Sequence, residues 1–248
     1  MSSDIPVLDY TVLNSNPRQF VQDLKTAASE WGFFFLKNHT IPMSEVNKNF
    51  ELAAKFFHGP PPGDEYRINT DNIGYSGRWQ EGYGKDDHIS FNFSGKYRQP
   101  MHLPPMLAAD YDRIQEFKKS VWDLAVELLR GFAVALDLEP DHFAKWHDLN
   151  KAPGMNLRYM YYPENHNPEE NQTRIREHSD FGVSSSSYVT SIGIESVLIT
   201  YIDHHDLVAK GRRWLRSAVP VWQVGDSPSH SRSSTHQHWG LPAGKTSS

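Results

Sequence analysis

The chain has no cysteine. That excludes disulfides, thiolate zinc sites and iron–sulfur clusters together, and leaves nitrogen and oxygen donors as the ligands for any metal. It also lacks a run of about 18 apolar residues and a charged-then-apolar beginning: "MSSDIPVLDY" reads neither as a signal peptide nor as a membrane span. A cytoplasmic protein without a membrane partner is the expectation. Positive charge is in deficit, with a net charge of −5 and a pI near 6.2, which argues against broad binding to nucleic acid. The expected partner is a small molecule. What is present is ample material for a core, 38% hydrophobic residues over 248 positions, enough for one large domain or two small ones.

The first half of the chain alternates strand and helix signals. In "NPRQFVQDLKTAASEWG", Asn16 can cap, Pro17 suits the first helical position and Gln19 completes a capping-box spacing. Phe20, Leu24, Ala27, Ala28 and Trp31 recur at helical intervals, and Gly32 ends the helix. "FFFLKNH" has strand length, and "SEVNKNFELAAKFF" returns to the helical period. "HGPPPGDEYRINTDNIGYSG" reads as loop. The longest helical pattern runs from about Leu107 to Leu138, and "MNLRYMYYP" reads as a strand stopped by Pro163. After Gly182 the pattern weakens: 14 of the last 66 residues are serine, against 10 in the preceding 182.

The chemistry centres on "TRIREHSDFG". In an extended strand residues i and i+2 share a face, so His178 and Asp180 project the same way and can share one metal ion. Imidazole plus carboxylate suits Fe(II), Mn or Zn; a second histidine would complete the facial triad of non-haem iron oxygenases, with positions left open for co-substrate and oxygen. Alone, His-x-Asp is a weak signal, because the spacing also occurs in ordinary surface strands.

From Asp4 to Gly182 the chain resembles the isopenicillin N synthase-like branch of the 2-oxoglutarate/Fe(II)-dependent dioxygenases. The pieces that carry the resemblance are "IPVLDY", "EWGFFFLKNHTIP", "AAKFF", "NIGYSG", "MNLRYMYYP" and "REHSDFG", in the family's order over about three quarters of the chain. "HISFNFS", residues 88–94, looks like the family's short strand near the substrate pocket. The resemblance implies an α+β fold with a mostly β core: a double-stranded β-helix, or jelly roll, with an N-terminal mixed α/β region and a long supporting helix. It implies an N-terminal non-haem dioxygenase-type region over 4–110 and, over 111–248, the helix plus a partial jelly-roll domain that is atypical after 182. It also implies Fe(II) as cofactor, 2-oxoglutarate as co-substrate, and dioxygen and a small organic molecule as reactants.

Beyond Asp180-Phe-Gly the chain departs from the family's pattern of an alternating apolar strand, a Gly-x-Trp hairpin, a Gly-Asp turn, a distal His and an Arg-x-Ser. "VSSSSYVTS" stands where the alternating strand belongs. Echoes return in "GRRWLRSAVPV", in "VGD" at 224–226 and in "SSTHQHWGLPAGKTSS". By that resemblance His236 is the third metal ligand, with His230 and His238 as rivals, while His204 and His205 read as polar loop. No arginine follows His236 to pair with the distal carboxylate of 2-oxoglutarate. Lys245 stands near the clamp position, with a plain turn at "PAGK" as the other reading, and the Tyr162 hydroxyl is a second donor, with a packed strand tyrosine as its other reading. A segment altered by deletion or splicing after Gly182 would explain the departure, and residues 183–191, lacking apolar alternation, are expected to be loose. Two other functions fit the same residues: a binding protein impaired or dead in catalysis, and an oxidase of the same fold that does not use 2-oxoglutarate. His39 and His58 are expected to cap or pack, and Tyr75, Tyr83, Phe91 and Phe93 to pack or line the pocket.

Overall fold

A computed structural model of the chain describes residues 5–78, 80, 87–150, 155–163, 185–189, 195–200 and 221–224. Strand β1 (Val7–Asp9) leads through α1 (Thr11–Ser15) into α2 (Pro17–Glu30), then β2 (Phe33–Lys37) and α3 (Met43–Phe57). The α2 cap forms as the sequence implies: the Asn16 side chain accepts from the backbone N–H of Gln19 at 3.4 Å, with Pro17 at the first turn. Past Gly32, in the left-handed region at φ 76°, the chain turns straight into β2.

The stretch expected to be loop, 58–77, contains a 3-10 turn at Asp64–Tyr66 and strand β3 (Ile73–Ser76). Gly74 makes that strand possible. Its φ is +127°, and a Cβ there would meet the carbonyl oxygens of Tyr66 and Arg67 at 2.7 Å, because the 66–69 segment is bonded along the strand, with Ile68 N–H donating to Tyr75 O at 2.9 Å. Strand β4 (Ile89–Ser94) follows. The long helical pattern divides into α4 (Pro105–Ala109) and α5 (Tyr111–Ala135), and α6 (Asp141–Ala144) precedes β5 (Asn156–Tyr161). Strands β6 (Ser185–Val189), β7 (Glu195–Thr200) and β8 (Val221–Val224) complete one eight-stranded sheet in the order β1-β2-β8-β6-β7-β5-β4-β3.

Within the stretch 183–191, expected to be loose, the described residues Ser185–Val189 form a strand. Ser185–Val189 pairs antiparallel with β7 and parallel with β8. Ladder hydrogen bonds belong to the backbone and need no apolar side chain when neighbours stand on both sides. Ser187 is paired with Leu198 on one side and Gln223 on the other. A Ser187→Pro substitution removes a ladder donor from a central strand and is expected to cost about 2–4 kcal/mol, read as a lower urea midpoint. Unchanged stability would show that this strand contributes nothing to the fold.

Register gives the sheet two unlike faces. Leu8, Leu36, Phe34, Phe91, Phe93, Leu157 and Tyr159 are buried toward the helices, where α3 and α5 lay their apolar stripes: Val46, Phe50, Ala53 and Phe56 from one, Ile114, Phe117, Val121, Leu124 and Leu128 from the other. Gly131 lets α2 approach α5; a Cβ there would lie 2.9 Å from Leu24 Cδ2. The opposite face carries Ser90, Asn92 and Ser94 of β4 against Met160, Arg158 and Asn156 of β5.

One charge is buried on the helix side. Lys118 of α5 is 0% exposed, and its ammonium donates to the carbonyls of Phe93 at 2.9 Å and Gly95 at 2.7 Å, tying the end of β4 to the helix. Burial pushes its pKa down to about 8 from 10.5. Between those values the unfolded chain holds a proton that the folded chain has released, so stability rises with pH across this window and is lost again as pH falls through 8. The full difference is about 3 kcal/mol. Measured from pH 7.5 to 9, before tyrosines ionise appreciably, the urea midpoint of the protein should climb while that of Lys118→Met stays flat; parallel profiles would contradict this.

Candidate functional site

The polar face has its densest group of functional side chains where β4 begins and β5 ends. Asp87, 1% exposed, receives a bidentate grip from Arg78, Nε to Oδ1 at 2.7 Å and Nη2 to Oδ2 at 3.0 Å, a fork geometry that lysine does not provide. His88, 3% exposed, comes next. Its Nε2 lies 3.2 Å from Arg158 Nη2, and the same Nη2 donates to Ser90 Oγ at 3.0 Å. The His88 ring sits 5.8 Å from the ring of Tyr162, tilted by 53°, and the Tyr162 hydroxyl donates to Met160 Sδ at 3.8 Å. Further along the face, Asn92 Nδ2 donates to Asn72 Oδ1 at 2.8 Å, while Asn92 Oδ1, Ser94 Oγ and Asn156 Oδ1 are buried with no hydrogen bond. Such atoms are costly in an apolar layer. They mark this face as a polar lining.

Of the residues singled out in the sequence, Tyr162 falls on this face. His178, Asp180, His236 and Lys245 lie outside the described residues, as do His204, His205, His230, His238 and Tyr83. Among the described residues no group of three metal-ligating side chains forms, and the histidines there are engaged otherwise. His39 Nδ1 accepts from Ile41 N–H at 3.2 Å, the His58 ring meets Tyr161 edge-on at 5.2 Å, and His147 Nδ1 lies 2.7 Å from the Phe143 carbonyl. Phe91 and Phe93 are fully buried core, and Tyr75 packs edge-on against Phe56 at 6.2 Å; these aromatics pack. A cleft of about 360 Å3 between β1 and α2, lined by Leu8, Asp9, Phe20, Asp23, Trp31 and Lys37, is at the other edge of the sheet and holds none of the polar-face residues.

The His88–Arg158–Ser90 group was not singled out in the sequence. Its signal was there: "ISFNFS" and "NLRYMY" place polar residues at alternate positions (Ser90, Asn92, Ser94 and Asn156, Arg158), which reads as a solvent face. Here Ser90, Asn92 and Ser94 are buried, while Asn156 and Arg158 are half-buried.

Residues 5–100 match the family model described as the N-terminal region of a non-haem dioxygenase in morphine synthesis. A UPF0676 protein of Schizosaccharomyces pombe is 29% identical over 193 residues, covering 73% of this chain and 59% of that protein. The oxoglutarate-dependent flavonoid 7-O-demethylase 1 of Ocimum basilicum is 28% identical over 197 residues, covering 73% of this chain and 50% of that protein. The chain thus spans about half to three fifths of the length of these curated relatives. Among solved structures, a full-length Neurospora crassa protein in complex with alpha-KG and thymine superposes with a TM-score of 0.62 at 21% identity, covering 84% of this chain and 77% of that one; at that identity the likeness speaks for the fold. The matching N-terminal region, together with relatives that include 2-oxoglutarate-dependent enzymes, makes this chain similar to the 2-oxoglutarate/Fe(II)-dependent dioxygenases over about two thirds to three quarters of its length.

Proposed function

We propose that the protein is a non-haem iron oxidoreductase that couples decarboxylation of 2-oxoglutarate to oxidation of a small organic substrate. The observation that carries this reading is the buried polar face with Tyr162 at its rim, a lining suited to a charged co-substrate, in a chain similar to an oxoglutarate-dependent enzyme. In this reading the sheet is part of a jelly roll, with an N-terminal region over 4–110 and a helix plus partial jelly roll over 111–248. His178, Asp180 and His236 hold the metal. Two imidazoles and a carboxylate, in a chain without thiolates, are a donor set that fits Fe(II). Iron bound there supplies the redox chemistry that lets dioxygen react with 2-oxoglutarate. The chain's own residues do the binding: the Tyr162 hydroxyl and the Lys245 ammonium take the distal carboxylate, as a donor and a point charge in place of a planar fork. The buried lining keeps bulk water from the reacting groups.

The test is oxygen uptake and succinate formation by the full chain. Both should require Fe(II) and 2-oxoglutarate together, and Tyr162→Phe should raise the 2-oxoglutarate concentration needed by about 10-fold, through loss of one hydrogen bond to a charged group. Uptake that proceeds without 2-oxoglutarate would make the protein an oxidase of the same fold. Tight Fe(II) binding without uptake would make it a binding protein.

A further inference from the structure

We infer that His88 and Arg158 are positioning residues for Tyr162, acting through a fixed tautomer of His88; this rests on the proposed role of Tyr162 toward 2-oxoglutarate. A guanidinium has N–H groups and no acceptor. At 3.2 Å from Arg158 Nη2, His88 Nε2 must present its lone pair, which puts the imidazole proton on Nδ1. Nη2 has two hydrogens, and its two partners among the described residues, His88 Nε2 and Ser90 Oγ at 3.0 Å, set the plane of the guanidinium. The imidazole is thereby fixed in tautomer and in rotation. At 3% exposure it has little room to turn.

Among the described residues, that ring is one of two groups that meet Tyr162. The imidazole stands 5.8 Å away at a 53° tilt, while Met160 Sδ receives the hydroxyl at 3.8 Å. Met160 is itself directly across the ladder from Ser90, the second partner of Arg158. The guanidinium therefore ties down both the ring that packs against Tyr162 and the strand position opposite the atom that its hydroxyl meets. The Arg78–Asp87 pair holds the backbone one residue before His88, so the network is anchored at the start of β4 as well as within β5. A hydroxyl that must meet one carboxylate oxygen gains from such pre-orientation, since its rotational freedom is removed before the ligand arrives.

The experiment uses the full chain labelled with 3-fluorotyrosine, with the Tyr162 resonance identified by its loss in Tyr162→Phe. His88→Phe keeps a ring but no acceptor, and Arg158→Met keeps length but no donor. Both should shift or broaden the Tyr162 resonance and weaken 2-oxoglutarate binding about 10-fold. Arg158→Lys, which can still donate to both partners, should restore most of each effect. In a Tyr162→Phe background the same substitutions should cost no further 2-oxoglutarate affinity. An unmoved Tyr162 resonance in both variants, with the other fluorotyrosine signals intact, overturns the inference. So does an equal loss of affinity in the Tyr162→Phe background, which would mean that Arg158 acts on the ligand without Tyr162. Should a variant fail to fold, seen in all the tyrosine signals together, His88→Gln, which keeps an acceptor without the ring, carries the resonance test instead. If the parent protein binds no 2-oxoglutarate, the proposed function fails, and the fluorotyrosine resonance still decides whether Tyr162 is positioned as described.

Discussion

Replacing Asp180 by alanine is expected to weaken Fe(II) binding by more than about 100-fold, since loss of a direct anionic ligand should exceed the 10–100-fold cost of disturbing the residues behind one. The metal-free protein should unfold at the same midpoint as its parent, which separates a ligand from a structural residue. The measurement is an anaerobic Fe(II) titration of both proteins. Equal affinity would remove Asp180 from the metal site and the proposed function with it. Alanine substitutions at His236, His230 and His238, titrated in the same way, locate the third ligand: the one whose loss matches that of Asp180→Ala holds the metal.

The largest effect on stability is expected at Phe91. Its ring is fully buried, edge-on to Phe56 of α3 at 5.5 Å and 4.8 Å from Phe93, directly across the ladder from Tyr159. Phe91→Ala removes the transfer energy of the ring and leaves a cavity that α3 cannot close without giving up its own contacts, a cost of about 3–5 kcal/mol. Against a total of about 5–15 kcal/mol for a domain, that is a large fraction. Urea unfolding measures it, with Val7→Ala as the control: Val7 is 56% exposed, and its truncation should change stability by less than about 0.5 kcal/mol. A small effect at Phe91 would mean that the sheet–helix interface is not the centre of the core.

Helices α2, α3 and α5 were legible because each repeats its apolar residues at the helical period and buries that stripe. Strand β3 was not: Ile73 and Tyr75 flank a glycine amid Pro, Gly and Asp, and what makes the stretch a strand is its pairing with β4 and the 66–69 segment, partners that a local pattern does not contain. Strand β6 was hidden for the same reason, since serines say nothing of the two ladders that enclose them. The burial of the polar face was not legible in the alternation alone. Alternating Ser and Asn normally signals a wet surface, and only the folded sheet shows that Ser90 and Asn92 are buried. Of the candidate site, Tyr162 stands where strand and proline signals put it, just past the end of β5. The metal ligands rest on family resemblance, because the spacing of His178 and Asp180 supplies two donors and no third.

Strand β8 lies between β2 and β6 and is parallel to both, so among the described strands the β1–β2 ribbon joins the rest of the sheet through residues 221–224 alone. Phe33 meets Val221 there. The ribbon's pairing partner lies about 190 residues further along the chain, so it is synthesised long after the ribbon. Until then α2 and α3 must shelter the buried side of β2 while its outer edge stays open, a vulnerable interval for a chain whose sheet depends on so distant a contact. The strand order thus leaves one edge of β2 unpaired until 221–224 has been made.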